Sequence, residues 1–169
     1  VGQADAILID YKDYEILIDA GDEKSGGRVA DYLRQYVDGD LEMVIATHAD
    51  SDHIGGIPDV LAEYQVDRII DSGEVKDTAA CQKYRTAAAE EPNCIFEYDE
   101  DMTIQIGDSS YLQIIETGDD YADSNNNSVV AMLVYNNVKA LFVGDMESEA
   151  ERANLPLFSD VDVLKAGHH

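Results

Sequence analysis

The sequence predicts an α/β fold that forms one layered domain, and three observations support this prediction. In the first half of the chain, short apolar runs typical of strands alternate with helical patterns. From Asn93 onward the pattern changes to a series of short β runs. The 169 residues, 45% of them hydrophobic, contain no linker, repeat or low-complexity tract that would divide them. Residues 1–169 are therefore expected to share a single core.

The individual elements follow from apolar periodicity and from turn and cap residues. In the first half, the predicted elements are a hairpin at 6–9 and 15–18, a helix between Gly27 and Gly39, a strand at 43–46, a polar loop, a helix at 58–64, a strand at 68–70 and a helix from an Asp77 cap to about residue 90. In the second half, they are strands at 95–98, 102–106, 111–115, 129–135, 138–143 and 161–164, and a helix at 146–154.

The charge of the chain argues against a nucleic-acid partner. Its 36 acidic and 11 basic residues give a formal charge of -25, which repels polyanions. Most of these charges are expected to form a solvated surface. Cys81 and Cys94 are too few for a disulfide scaffold, and one disulfide or two buried thiols are both compatible with them. No apolar stretch reaches the roughly 18 residues of a membrane span, and the N-terminus lacks a signal-peptide pattern.

Four potential metal ligands lie within six residues, directly after a predicted buried strand and before Gly55 and Gly56. They are His48, Asp50, Asp52 and His53. Neutral imidazoles together with carboxylates suit Zn²⁺ or Mn²⁺. Glycines let the backbone pass close to a bound ion. The plainer alternative is a polar loop whose histidines cap the next helix.

A calcium loop of the EF-hand type also needs consideration. Asp50, Asp52 and Gly55 fit positions one, three and six of such a loop. Ile54 and Leu61 occupy positions five and twelve, where oxygen ligands are required. The pattern therefore favours a transition metal over calcium.

Six motifs in the same order along the chain resemble the metallo-β-lactamase superfamily and, within it, the hydrolase domain of ComEC-type competence proteins. The motifs cover nearly the whole chain. They lie at 1–6, 17–21, 48–56, 127–130, 141–147 and 162–169. The resemblance implies an αββα sandwich with metal ions at one edge between two sheets. It also implies that the family fold continues beyond His169, so that residues 1–169 lack its C-terminal part.

Residue by residue, the resemblance implies a centre of two divalent ions. His48 is then a ligand of one ion, Asp52 and His53 are ligands of the other, and Asp145 bridges both. His168 and His169 match a segment in which at least one histidine is a ligand. Two plainer explanations stay open for these positions. Asp145 could cap a helix, and the final histidines could be the remainder of an affinity tag.

The departures from the broader superfamily bear on the chemistry. Asp50 stands where most members have a second histidine ligand, and Asn127 and Ser128 stand near another histidine position. With Asp50 as a ligand, the first metal position is poor in nitrogen, as in ComEC-type domains. Ala4 replaces a common glycine, and Asp19 is expected to orient a ligand or support the fold.

Two divalent ions, Zn²⁺ or Mn²⁺, held about 3.5–4 Å apart can activate a bridging water and stabilise a phosphoryl transition state. We therefore predict a metal-dependent hydrolase that cleaves phosphodiesters, DNA among them, with the metal-bridged water as nucleophile. Asp52 or Asp145 is expected to orient this water. β-Lactam hydrolysis fits the ligand set less well. The alternative is a non-catalytic metal-binding or partner-binding module that keeps the same fold.

The resemblance also carries expectations about the biological setting. It implies a link to DNA uptake and a membrane-bound parent protein. It implies a location outside the cell or on the outer face of the cell membrane, with no membrane contact by this segment.

Overall fold

The computed structural model of the chain describes residues 1–118, 121–158 and 160–169. The described residues form two compact units, Val1–Tyr98 and Asp99–His169. Each unit contains one five-stranded β-sheet. The change of pattern predicted near Asn93 therefore lies close to the boundary between the two units.

The sheet of the first unit is a hairpin extended by three parallel strands. Its strands are β1 Ile7–Asp10, β2 Glu15–Ile18, β3 Met43–Ala46, β4 Arg68–Asp71 and β5 Ile95–Tyr98. They follow chain order, β1 is antiparallel to β2, and each later pair is parallel. Every residue of β3 is apolar and buried, as is usual in a parallel sheet that is covered on both faces.

The helices of the first unit each bury part of their surface. They are α1 Gly26–Leu33, α2 Ser51–Ile54, α3 Ile57–Leu61 and α4 Ala79–Glu90. In α1 the buried residues Val29, Ala30 and Leu33 follow helical spacing and join the same apolar cluster as Val44 of β3. The helix ends before the predicted limit at Gly39.

The second unit is rich in strands, as predicted, and most of them pair antiparallel. Its strands are β6 Met102–Gly107, β7 Ser110–Ile115, β8 Val130–Tyr135, β9 Val138–Phe142 and β10 Val163–Lys165, and its α-helix is α5 Ser148–Asn154. The sheet order is β10-β9-β8-β7-β6, and among the described strands of this sheet only β10 pairs in parallel, with β9, while the other neighbours pair antiparallel. A small core contains Val130, Leu141, Val143, Met146 and Ala150.

Two local predictions were wrong. The loop predicted after β3 contains helix α2, because Asp50 is extended and its carbonyl accepts the N–H groups of His53 and Ile54, both at 3.0 Å. The cap of α4 is Thr78 instead of Asp77. The Thr78 hydroxyl accepts the Cys81 N–H at 3.2 Å, which is how a threonine caps a helix.

Gly56 lies where two backbone segments approach each other closely. A Cβ atom at Gly56 would lie 2.1 Å from the carbonyl oxygen of Ala20 and 2.9 Å from the Cα atom of Gly26. Its N–H donates to the carbonyl of Gly21 at 2.9 Å. Because backbone atoms surround this position, any side chain there forces the two segments apart.

We expect Gly56→Ala to lower the free energy of unfolding by about 2–3 kcal/mol, the usual scale of overpacking a tight core. Gly27→Ala is the matched control, because a Cβ at Gly27 meets nothing within 4 Å. Alanine in place of a helical glycine adds about 0.5–1 kcal/mol. Urea denaturation measures both variants, and equal stabilities would contradict this account.

A second stability effect concerns the buried carboxyl group of Glu15. The residue is 3% exposed, and its N–H donates to Glu42 Oε2 at 2.6 Å. Burial raises the pKa of Glu15 to about 7, and the charge and hydrogen bonding of Glu42, followed by the charges of Asp10 and Asp38, add to this effect. Between these two pKa values, the folded protein therefore keeps a proton on Glu15 that the unfolded chain, with a glutamate pKa of about 4.3, has released.

The free energy of unfolding should then fall as pH rises from about 4.5 to 7, because the folded state binds more protons in this window. Glu15→Gln should flatten this decline and stabilise the protein by about 2 kcal/mol at pH 8. Urea denaturation at several pH values is the measurement. Glu90→Gln, an exposed glutamate in α4, serves as the control, and the same pH profile in Glu15→Gln and wild type would refute the assignment.

The two cysteines are free thiols. Cys81 is buried and Cys94 is partly exposed, so the disulfide left open by the sequence does not form. Burial also raises the pKa of the Cys94 thiol.

Candidate metal centre

The polar residues of the first unit follow the carboxyl ends of neighbouring parallel strands. Asp19 follows β2, His48 lies two residues after β3, and Asp71 ends β4. Strand register places these ends side by side, since Ile18 pairs with Ile45 and Ala46 pairs with Asp71. Binding sites of open α/β sheets lie at this edge.

His48 and His53 form a buried pair of imidazoles. Their exposures are 1% and 0%, and their ring centroids lie 4.1 Å apart. His48 comes from the loop after β3, whereas His53 comes from α2. Neither side chain caps this helix, because the N-cap residue is Asp50. The plainer explanation of the histidines as capping residues is therefore wrong.

Asp19 is hydrogen-bonded to His53 and to Thr47, the residue before His48. Its Oδ1 accepts the N–H of Thr47 at 2.9 Å, and its Oδ2 accepts the Thr47 hydroxyl at 2.7 Å. Oδ2 also lies 2.8 Å from His53 Nδ1. A histidine whose Nδ1 is bound by a carboxylate presents Nε2 for coordination, and this arrangement is common at metal sites. Asp19 therefore orients the His53 imidazole, and its role at a metal ligand stays a prediction.

Asp50 lies between an imidazole and an ammonium group. Its Oδ2 is 3.8 Å from His48 Nε2. Its Oδ1 forms an ion pair with Lys76, which lies in the segment after β4. The structure thus brings His48 and Asp50 together, as the sequence predicts for residues of one metal position, and adds a lysine that the sequence analysis missed.

Asp5 is a second residue that the sequence analysis did not assign as a ligand. Asp5 and His53 offer ligand atoms within 4.8 Å of each other. Asp5 belongs to the first of the six motifs, and its position in that motif is the signal that could have identified it. Asp52 lies in the first turn of α2 and is partly exposed. Its role as a ligand stays a prediction.

Asp71 anchors the segment that carries Lys76. The Tyr84 hydroxyl donates to Asp71 Oδ2 at 2.7 Å, and Arg85 donates to Asp71 Oδ1 and to the Glu74 carbonyl, both at 2.8 Å. Burial and then the charge of Asp71 raise the pKa of Tyr84 well above its ordinary value. Both Tyr84 and Arg85 belong to α4, so this helix fixes the path of the chain after β4.

In the second unit, Asp145 lies close to both final histidines. Its Oδ2 is 3.3 Å from His169 Nε2 and 4.0 Å from His168 Nε2. His168 Nδ1 also lies 3.1 Å from Glu147. Of the two histidines, His169 therefore has the better geometry to share an ion with Asp145.

The backbone around Asp145 is fixed by neighbouring loops. The Asp145 N–H donates to the Ser128 hydroxyl at 3.1 Å, and Lys165 lies 3.6 Å from Asp145 Oδ1. Helix α5 has Glu147 as its N-cap, so the explanation of Asp145 as a cap is wrong. The Asn127 side chain forms two hydrogen bonds with the backbone of Tyr121. Its Oδ1 accepts the Tyr121 N–H at 2.8 Å, and its Nδ2 donates to the Tyr121 carbonyl at 2.9 Å.

The donor atoms in each unit suit a divalent transition-metal ion. Two atoms that each lie about 2 Å from one ion are separated by about 3–4 Å. The His48–Asp50 distance of 3.8 Å and the His169–Asp145 distance of 3.3 Å both fall in this range. Imidazole nitrogens and carboxylate oxygens are ligands that Zn²⁺ and Mn²⁺ accept.

The contact between Asp19 and His53 gives a direct prediction. Asp19→Asn should weaken the tightest divalent-metal site by about 10–100-fold, because the imidazole loses the carboxylate that orients it. Competition with a chelating dye measures the affinity. Asp40→Asn, at an exposed position, removes the same charge away from this contact. Unchanged affinity in Asp19→Asn would remove Asp19 from any role in metal binding.

The family of this chain is established by comparison with known proteins. The family model described as "Metallo-beta-lactamase superfamily" matches residues 1–169. The chain belongs to the metallo-β-lactamase superfamily. This superfamily consists generally of metal-dependent hydrolases, so the metal-binding character and the fold predicted from the sequence are confirmed at that level.

Individual relatives agree with the family. The chain is 32% identical over 131 residues to ComE operon protein 3 of Bacillus subtilis, which supports the resemblance to ComEC-type proteins. This alignment covers 76% of the chain and 17% of the relative, so the chain spans about a sixth of that protein's length.

Solved structures show the same fold at low sequence identity. A metallo-β-lactamase of Cronobacter sakazakii with a HARLDQ motif has a TM-score of 0.66 and 15% identity, covering 97% of this chain and 74% of its own. The subclass B3 metallo-β-lactamase MEM-A1, from a soil metagenome library, has a TM-score of 0.65 and 15% identity, with coverage of 99% and 74%. Within the described residues, no helix has the length and apolar content needed to cross a membrane.

Proposed function

We propose that this domain is a metal-dependent phosphodiesterase with nuclease-like activity that serves DNA uptake. The observation that carries the proposal is the buried His48 and His53 pair, with Asp19 on His53 Nδ1, in a chain of the metallo-β-lactamase superfamily. The similarity to ComE operon protein 3 supports the link to DNA uptake. A location outside the cell or on the outer face of the cell membrane is part of the same proposal.

The proposed ligands are those predicted from the sequence, with Asp5 added from the structure. They are Asp5, His48, Asp50, Asp52, His53, Asp145, His168 and His169, which are proposed to hold up to two ions of Zn²⁺ or Mn²⁺. Bound divalent ions supply an activated water and neutralise charge on a phosphoryl group. Asp52 or Asp145 is proposed to accept a hydrogen bond from this water and so to orient it.

The chain's own charge limits which substrates it reaches quickly. With a formal charge of -25, the domain repels long DNA, and a small diester with one negative charge is repelled far less. Added salt weakens this repulsion, and at 0.1 M charges more than about 10 Å apart are largely screened from each other. Cleavage of long DNA is therefore expected to rise with moderate salt, while cleavage of a small diester stays nearly constant.

The test measures hydrolysis of bis(p-nitrophenyl) phosphate and of single-stranded DNA by the metal-free chain and after addition of Mn²⁺ or Zn²⁺. Nitrocefin, a β-lactam, is the comparison substrate. The proposal expects metal-dependent diester cleavage that exceeds β-lactam cleavage. Metal binding without turnover of either diester would favour the non-catalytic metal-binding or partner-binding module.

A further inference from the structure

The segment after β4 places a lysine ammonium group on one of the proposed ligands. Lys76 forms an ion pair with Asp50 Oδ1 and lies 3.9 Å from Glu74 Oε2. Its side chain is 25% exposed, less than half the exposure of Lys83, which pairs with Glu23 on the surface. Lys76 is therefore enclosed next to Asp50 to a degree that an ordinary surface lysine is not.

The position of this ammonium group is set by the fold. Gly73 N–H donates to Asp71 Oδ1 at 2.7 Å, and Arg85 donates to the Glu74 carbonyl at 2.8 Å. Asp71 is itself 3% exposed and bound by Tyr84. The chain on the N-terminal side of Lys76 is thus fastened to β4 and α4. The backbone that carries Lys76 is thereby held within reach of Asp50.

The ion pair matters because Asp50 is also the neighbour of His48. Asp50 Oδ2 lies 3.8 Å from His48 Nε2, while Oδ1 faces Lys76. A carboxylate that already contacts an ammonium has less negative charge to offer a metal ion, and two cations on one carboxylate repel each other. An ion bound by His48 and Asp50 therefore competes with the Lys76 ammonium for the Asp50 carboxylate. An ion bound by His53 and Asp5 does not use that carboxylate and does not meet this competition.

We propose that Lys76 is a built-in competitor for Asp50, so that the chain binds one divalent ion tightly and a second ion, at His48 and Asp50, more weakly. This inference rests on the metal binding in the proposed function. It assigns to Lys76 a positioning role, since the residue acts on the metal through Asp50. The replacement of a histidine by Asp50 and the presence of Lys76 are then two parts of one arrangement.

The test is a calorimetric titration of the metal-free chain with Mn²⁺. Wild type should bind one ion tightly and a second ion at least tenfold more weakly. Lys76→Met should tighten the second site at least tenfold and leave the first within threefold. Lys76→Gln, which keeps a polar side chain, should act like Lys76→Met, and Lys76→Arg should act like wild type. Lys83→Met changes the net charge equally and should leave both affinities unchanged.

Several results would overturn the inference. Two sites of equal affinity in wild type would do so, as would an unchanged second site in both Lys76→Met and Lys76→Gln, or equal tightening by Lys83→Met. These results concern affinity alone. The inference therefore stands if the two sites are unequal, Lys76→Met tightens the second and no diester is turned over, an outcome that rejects the proposed function. It falls with two equal sites and full turnover.

Discussion

Asp145→Ala is expected to abolish diester hydrolysis, with a loss of at least about 10³-fold, and to remove at least one bound ion per chain. The reason is that the Asp145 carboxylate is 4% exposed and lies within 4.0 Å of both terminal histidines, with which it is proposed to hold an ion. Initial rates with bis(p-nitrophenyl) phosphate and elemental analysis give the two measurements.

Glu149→Ala is the matched control for Asp145→Ala. Glu149 is an exposed acid in the first turn of α5, four residues further along the chain. Its replacement removes one negative charge from the same unit and should change neither metal content nor rate by more than about twofold. Wild-type activity in Asp145→Ala would exclude Asp145 from the site.

His53→Ala is expected to remove the stabilisation that the tightly bound metal ion gives to the folded chain. An ion at 100 times its dissociation constant stabilises by about 2.7 kcal/mol. For a chain of this length, that amounts to a rise of about 5–11 °C in Tm. His53→Ala should remove the part of this rise that the tight ion contributes, because that ion loses its buried imidazole ligand, and only the smaller contribution of the weaker ion at His48 and Asp50 should remain.

The matched control for His53→Ala is Ile54→Ala. Ile54 is the next residue and is 1% exposed, so its truncation leaves a cavity that lowers the Tm of the metal-free chain. The metal-induced rise should nevertheless persist in Ile54→Ala. Differential scanning calorimetry with and without Mn²⁺ separates the two effects. An equal metal-induced rise in His53→Ala and wild type would show that His53 does not bind the tight ion.

The strands and the main helices could be predicted from the sequence because local patterns determine them. The apolar run at Met43–Ala46 and the helical spacing of Val29 and Leu33 each carry their signal within a few residues. The Ser51–Ile54 helix was missed because four residues are too few to show a helical period of apolar positions. Hydrogen bonds to the Asp50 carbonyl determine it.

The candidate site was only partly predictable for a related reason. The density of His48 to His53 is a local signal, and the motif resemblance extended it to Asp145. The contact between Lys76 and Asp50 joins residues 26 positions apart and has no local pattern. The bond between Asp19 and His53 spans 34 positions, and only the pairing of β2 with β3 brings its partners together.

The position of the proposed ligands at strand ends has a consequence for how such a domain can diverge. In the first unit, His48 and Asp50 come after β3, and the apolar side chains that hold the sheet together belong to the strand itself. A mutation in the segment after a strand can change the preferred ion or substrate while the buried strand stays intact. New chemistry can thus arise on this scaffold by single substitutions that leave its folding stability nearly unchanged.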